Sequence, residues 1–320
     1  ENQKTASTAI GVKANQIEVQ IVPVGGSFGG KTEQARFITG AATIAANHVH
    51  QPVRLIVPRA HDTEVTGKRH AYYGEFQVAI DDNGKLVGSD WNLYGDGGGY
   101  YDCSFIVSNC VISRGDGAYH IPNFSYKIDV AKTHKAPSTA MRAFGDFQGK
   151  IIIESGIQAA AWALEAKEKE LGIEESKRHP PHVVRENNLY SSGQVTPWGQ
   201  ALAGCYQKEV WQSLKERTNL DELIVKVKDF NSKNKWRKRG FAIMPCKYGS
   251  GYNWSALEQG SALISVNSGD GSVTIYMGGV EMGQGLETQC KQVASYILDL
   301  PMDFIFMEYV NTNVIANASS

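Results

Sequence analysis

Gly25, four further residues and then Gly30-Lys31-Thr32 match the phosphate-loop spacing G-x-x-x-x-G-K-[ST]. The chemistry such a run could do is anion binding. Glycines let successive N–H groups turn inward, and a following helix adds partial positive charge at its amino end. A second glycine run, Gly278-Gly279 and then Gly283-Gln284-Gly285, repeats the theme downstream. A nucleotide hydrolase also needs an acidic residue closing a buried strand, to hold the magnesium water shell. The apolar run at 53–57 (VRLIV) ends instead in Pro58-Arg59, and Glu308 lies far away. A phosphate-loop nucleotide binder therefore stands as an alternative rather than as the leading reading.

Side-chain metal ligation has no support in the spacing. The cysteines, Cys103, Cys110, Cys205, Cys246 and Cys290, are scattered without a C-x-x-C pair, which excludes a disulfide framework and a zinc or iron–sulfur site built from this stretch. His48 and His50 have the wrong helical spacing to share a metal, and His179 and His182 lie in a proline-rich segment.

The elements that must position the glycine loops can be read from periodicity. Residues 17–22 (IEVQIV) alternate like a half-buried strand, and a helix is expected over 35–47, ended by Pro52 before a strand at 53–57. Runs at 75–80 and 85–92 flank Asp82-Asn83-Gly84, a strong hairpin signal. The glycine-rich stretch 95–101 reads as a loop, 148–171 as a helix, and 165–181 as an exposed excursion. A strand at 272–277 precedes the second glycine run, and Leu286, Cys290, Val293, Ala294 and Ile297 share one face of a following helix. Strand, glycine loop and amphipathic helix thus occur twice. The expected fold is α+β, two mixed domains divided near 190–205 into 1–190 and 191–320, the second incomplete.

At 320 residues and 42% hydrophobic, the chain can bury a core in each half. Lys plus Arg (32) balance Asp plus Glu (33), so no overall field draws it to nucleic acid or to an acidic membrane. The basic run Lys235-Trp236-Arg237-Lys238-Arg239 reads as a solvated linker edge. No apolar stretch reaches membrane-span length. A start at Glu1 and a stop just past FIFMEYV read as an internal fragment of a longer protein.

Three segments taken together carry a resemblance. Gly25-Gly26-Ser27-Phe28-Gly29-Gly30-Lys31, Ser138-Thr139-Ala140-Met141-Arg142-Ala143-Phe144-Gly145 with Gln148-Gly149, and Gly279-Val280-Glu281-Met282-Gly283-Gln284-Gly285-Leu286 closely resemble the molybdenum-cofactor loops of the xanthine dehydrogenase and aldehyde oxidase family. Shorter runs, Pro52-Val53-Arg54, Ile121-Pro122-Asn123, Asn187-Asn188-Leu189-Tyr190, Lys238-Arg239-Gly240 and Thr312-Asn313, extend it over essentially the whole chain.

The resemblance implies part of a molybdopterin-binding domain pair in a cytoplasmic, homodimeric hydroxylase. Iron–sulfur (2Fe-2S) clusters and FAD would lie N-terminal to Glu1 and pass electrons to NAD or oxygen. It implies that Phe28, Gly29, Arg142, Met282, Gly283 and Gln284 contact the molybdenum–molybdopterin cofactor, and that Thr32, Cys110, Phe144 and Tyr252 face the substrate. The catalytic glutamate is expected beyond Ser320; neither Glu33 nor Glu281 has its motif context. Xanthine-specific members carry an acid at the position of Thr32 and an arginine at that of Cys110, so two charges are missing here. The leading substrate is a purine-like N-heterocycle, with an aldehyde as the alternative and a degenerate non-catalytic homologue as a third reading.

Overall fold

The computed structural model describes residues 1–251 and 255–315. In chain order the elements are α1 (Asn2–Ile10), β1 (Gln20–Ile21), α2 (Ala35–Val49), α3 (Arg59–Val65), β2 (Tyr72–Ile80), β3 (Leu86–Gly98), α4 (Ser104–Arg114), β4 (Asn123–Lys132) and α5 (Asp146–Glu170). There follow α6 (Pro181–Asn187), α7 (Gln207–Thr218), α8 (Leu220–Lys233), β5 (Ala262–Val266), β6 (Val273–Met277), α9 (Leu286–Leu298), β7 (Ile305–Met307) and β8 (Val310–Asn311). Mixed helices and sheets make this an α+β fold.

The expected hairpin is present. β2 and β3 pair antiparallel across the Asp82-Asn83-Gly84 turn, where the Asp81 carboxylate accepts the N–H groups of Asn83 and Lys85 at 2.9 and 2.7 Å. β4 then adds to β3 in parallel, through the crossover that contains α4. The long helix α5 lies against this sheet with Ile152, Ile153, Ile157, Ala161 and Leu164 buried, the i, i+4 spacing that puts one apolar face inward. Leu93, Trp91, Val111 and Tyr119 complete the core, which also takes in Trp211, Leu220 and Ile243 from later in the chain. A smaller core of Val273, Ile275, Ala294, Ile305 and Met307 forms where α9 covers the sheet β5-β6-β7.

Several expectations differ from what is seen. Only Gln20–Ile21 of 17–22 is strand, because its pairing partner, β8, is equally short. Residues 53–57 form no strand; Val53, Leu55 and Ile56 are exposed and meet no pairing partner among the described residues. The glycine run 95–98 is not a loop but the end of β3, since parallel pairing with β4 reaches Gly98–Lys132. The excursion near 165–181 is anchored as well: Glu168 is 3% exposed and binds His179 through its ring and its main-chain N–H.

Candidate functional site

The first glycine loop touches both of the others. The Arg142 N–H donates to the Phe28 carbonyl at 2.7 Å, and the Val24 N–H donates to the Glu281 carbonyl at 2.9 Å. These contacts bring segments more than 100 residues apart onto one another. Phe28 (φ 50°) and Ala143 (φ 65°) both sit in the left-handed region that L side chains avoid. Gly29 (φ 90°) follows the same path, and a Cβ there would stand 3.0 Å from the Ala140 carbonyl. Glycine is thus the residue that lets the first two loops lie main chain to main chain.

Side chains behind the loops fix this arrangement. Asp102 accepts from Gln34 Nε2 and from Thr139 Oγ1, both at 2.7 Å, so one carboxylate spans the end of the first loop and the start of the second. The Gln34 side-chain oxygen Oε1 takes the Gly67 N–H at 3.0 Å. Arg69 donates to the carbonyls of Met141 and Arg142 at 3.2 and 2.8 Å, while its guanidinium lies 5.3 Å from the Phe147 ring centre. The second loop therefore has both its Thr139 end and its Arg142 end held.

Phe144 and Cys110 are neighbours through Gly145. A Cβ at Gly145 (φ 74°) would fall 2.5 Å from Cys110 Cβ, so the loop that carries Phe144 rests directly on α4. Cys110 is 3% exposed, and burial pushes its thiol pKa up, leaving a small neutral wall rather than an open contact. Phe144 is half-buried, and Thr32 stays with the first loop, its N–H on the Gly29 carbonyl at 3.2 Å. Tyr252 lies outside the described residues. Phe28 remains 46% exposed and Arg142 is exposed, whereas Met282 is half-buried beside exposed Gly283 and Gln284.

The sequence reading missed a charged cluster behind Phe144. Asp146, 1% exposed at the first turn of α5, binds Arg114 at 2.8 Å and Lys150 at 3.1 Å. Both cations lie over the ring of Tyr248, at 5.8 and 5.0 Å, and Arg114 reaches the Gly251 carbonyl at 3.4 Å. The segment leading into Tyr252 is thereby tied to α4 and α5. The Asp146–Lys150 spacing of four on a helix was a readable signal; the Arg114 partner, 32 residues away, was not.

The phosphate-loop alternative does not survive this geometry. In the first loop Gly30 N–H and Thr32 N–H are spent on Ser27 and Gly29 carbonyls, and Lys31 Nζ is bonded to the Gly26 carbonyl at 2.8 Å. The strand before it is a two-residue antiparallel ribbon.

A family model described as molybdopterin cofactor-binding domain matches residues 1–173, and a second with the same description matches residues 213–320. The chain belongs to the molybdopterin cofactor-binding domain family. It is 34% identical over 319 residues to a xanthine dehydrogenase of Oryza sativa subsp. japonica, spanning 100% of this chain and 22% of that protein. Aldehyde oxidase 3 of Rattus norvegicus is 33% identical over 316 residues, 98% of this chain and 23% of that protein. The chain thus spans less than a quarter of the length of these relatives. Among solved structures, quinoline 2-oxidoreductase from Pseudomonas putida 86 superposes with a TM-score of 0.79 at 19% identity, over 99% of this chain and 40% of that one. Aldehyde oxidoreductase from Desulfovibrio gigas gives 0.71 at 18%, over 98% of this chain and 32% of that one. At those identities the likeness is one of fold.

The glycine loops of these molybdopterin cofactor-binding domains leave main chain open to a cofactor. A Cβ on Gly25, Gly283 or Gly285 would meet no atom within 4 Å, so bare main chain faces outward from the first and third loops. No group of three or more His, Cys, Asp or Glu able to hold a metal ion exists among the described residues. Nor is any helix among them long and apolar enough to cross a membrane.

Proposed function

We propose that the full-length protein is a molybdenum hydroxylase of the xanthine dehydrogenase and aldehyde oxidase type, an oxidoreductase acting on an electron-poor carbon of a purine-like N-heterocycle. The observation that supports this most directly is the pair of main-chain hydrogen bonds, Arg142 to Phe28 and Val24 to Glu281, that joins the three loops. The bound molybdenum–molybdopterin group supplies the oxygen-transfer and two-electron chemistry. This chain's residues bind and orient. Phe28 and Gly29 border the metal end, the Arg142 main chain lies beside them, and Met282, Gly283 and Gln284 hold the pterin. Gln284 is suited to that role, because its exposed amide, bonded to the Met282 N–H at 2.6 Å and the Val280 carbonyl at 2.9 Å, can trade these partners for the pterin's polar edge.

Phe144 and Tyr252 bracket the substrate in this reading, with Thr32 and Cys110 at its edge. Two flat rings suit a heterocycle. The neutral Cys110 wall favours an aldehyde as the second reading. The proposal extends to a cytoplasmic homodimer, domains divided at 190/191, a catalytic glutamate beyond Ser320, and electron flow through iron–sulfur clusters and FAD to NAD or oxygen.

The test is the molybdenum and pterin content of the purified full-length protein, followed by turnover of purines, other N-heterocycles and aldehydes. About one molybdenum per chain with heterocycle turnover supports the reading. Aldehyde turnover alone replaces the substrate class, and a metal-free protein from a source whose other molybdoenzymes are loaded overturns the whole reading.

A further inference from the structure

The amino end of α9 is capped in an unusual way. Gly285 stands at the N-cap and has no side chain to offer, which leaves the first N–H groups of the helix seeking an acceptor. Glu281, four residues earlier, fills the role. Its Oε1 accepts from the N–H groups of Gly283 and Gly285 at 2.7 and 3.2 Å, and its Oε2 accepts from Glu287 at 3.2 Å. Gly283 (φ 97°) and Gly285 (φ 80°) supply the left-handed turns that aim these donors at one carboxylate. Those bonds hold the Glu281 carboxyl below the usual carboxylate range, chiefly through Glu287.

The same residue reaches the other loop. Its main-chain carbonyl accepts the Val24 N–H at 2.9 Å, directly before the Gly25-Gly26 run. One residue therefore orders the third loop with its side chain and moors the first loop with its main chain.

We propose that Glu281 is the positioning residue of the molybdopterin loops: its carboxylate supplies the negative charge at the amino end of α9, so that Met282 and Gln284 are presented preformed and the cofactor binds beside that helix end rather than on it. The inference rests on the cofactor reading above and deepens it. The chemistry has a sorting consequence. An anionic group of the cofactor gains nothing from the N–H groups of Gly283, Gly285 and Glu287, because a built-in carboxylate already occupies them. What remains for recognition is the Gln284 amide and the Met282 N–H that this amide now covers.

The test compares wild-type full-length holoenzyme with Glu281→Gln and Glu281→Ala. Hydrogen exchange is followed on peptides spanning 280–290, and molybdenum and pterin retention is followed during dialysis. The expected result for Glu281→Ala is loss of protection confined to 283, 285 and 287, with cofactor release about fivefold faster, the scale of a lost helix cap. Glu281→Gln, which keeps the shape and one acceptor oxygen, falls between, and it decides the matter if the alanine variant does not fold. Unchanged exchange and unchanged release in both variants overturn the proposal. Lost protection with unchanged release also overturns it, since the carboxylate would then be a cap without a role in cofactor binding. A wild-type protein that holds no molybdenum or pterin refutes the cofactor reading instead, and the exchange comparison still reports on the carboxylate by itself.

Discussion

The Arg142 N–H sits 2.7 Å from the Phe28 carbonyl, and each end of that hydrogen bond is flanked by a left-handed residue: Phe28 itself on one side and Ala143 on the other. Backbone of that kind is held in place by its surroundings, here Asp102 behind both loops and Arg69 beneath the second.

Gly29→Ala should break this contact. The new methyl would stand 3.0 Å from the Ala140 carbonyl at a φ of 90°, which only glycine adopts freely. The expected cost is about 1–3 kcal/mol of local strain, appearing as reduced molybdenum content with a small change in melting temperature. Ala143→Gly should act the other way and gain up to about 1 kcal/mol, because relief of the left-handed alanine exceeds the added chain entropy. A melting curve for each variant checks both signs.

Asp146→Asn should be among the most destabilising single changes near the site. The carboxylate is nearly inaccessible and answers two cations, Arg114 and Lys150. An amide would leave both facing a neutral group in a poorly solvated place, a loss of about 3–5 kcal/mol. The exposed pair Lys167–Asp82 serves as the control, since Asp82→Asn should change stability by about 0–1 kcal/mol. Denaturant midpoints measure the contrast.

These ion pairs also mark what was legible in the sequence and what was not. Local signals held: Asp82-Asn83-Gly84 fixed the β2–β3 register, and the apolar spacing of Ile153, Ile157, Ala161 and Leu164 marked α5. The first and third loops were visible as glycine runs, whereas the second, with a glycine only at its end, was visible through the family resemblance alone. Partners distant in sequence were invisible. Nothing local links Arg114 to Asp146, or Gln34 to Asp102, or Val24 to Glu281. Short apolar runs misled for the same reason: 53–57 has strand composition, but a strand needs an edge to pair with. The Gly95–Gly98 run misled in reverse, since its glycines serve close approach. A Cβ at Gly98 would lie 2.4 Å from the Ala136 carbonyl, just before the second loop.

His70 gives a pH prediction. It is 2% exposed, its Nε2 lies 2.8 Å from Ser104 Oγ, and burial lowers its pKa despite the opposing charge of Asp102. A base whose folded pKa is depressed binds its proton more readily when unfolded. Its contribution to stability is intact above the ordinary value of about 6.5 and is lost as pH falls from there through the depressed folded value. Melting temperature should therefore decline on acidification from about pH 6.5. His70→Gln should flatten that slope while lowering stability at neutral pH; an unchanged slope would show that other groups carry it.

Cys110 and Thr32 invite the same experiment and should give opposite results. Both stand where xanthine-specific relatives are expected to carry a charge, so restoring Glu at 32 and Arg at 110 is the obvious attempt to redirect specificity. The surroundings differ. Thr32 is half-buried at a loop turn and fixed only through its main chain in the contacts seen, so Thr32→Glu should fold normally and alter KM for cationic or hydrogen-donating heterocycles more than kcat. Cys110 is wedged beneath Gly145, whose missing Cβ would already meet the Cys110 Cβ at 2.5 Å. An arginine there must push the Phe144 loop off α4 or bury its guanidinium beside Arg114, and overpacking alone costs about 1–3 kcal/mol. Cys110→Arg should thus lower the melting temperature and abolish turnover of every substrate class alike. A Cys110→Arg enzyme that melts like wild type and gains purine turnover would mean that the Phe144 loop can open toward α4, and that the neutral wall is adjustable rather than structural.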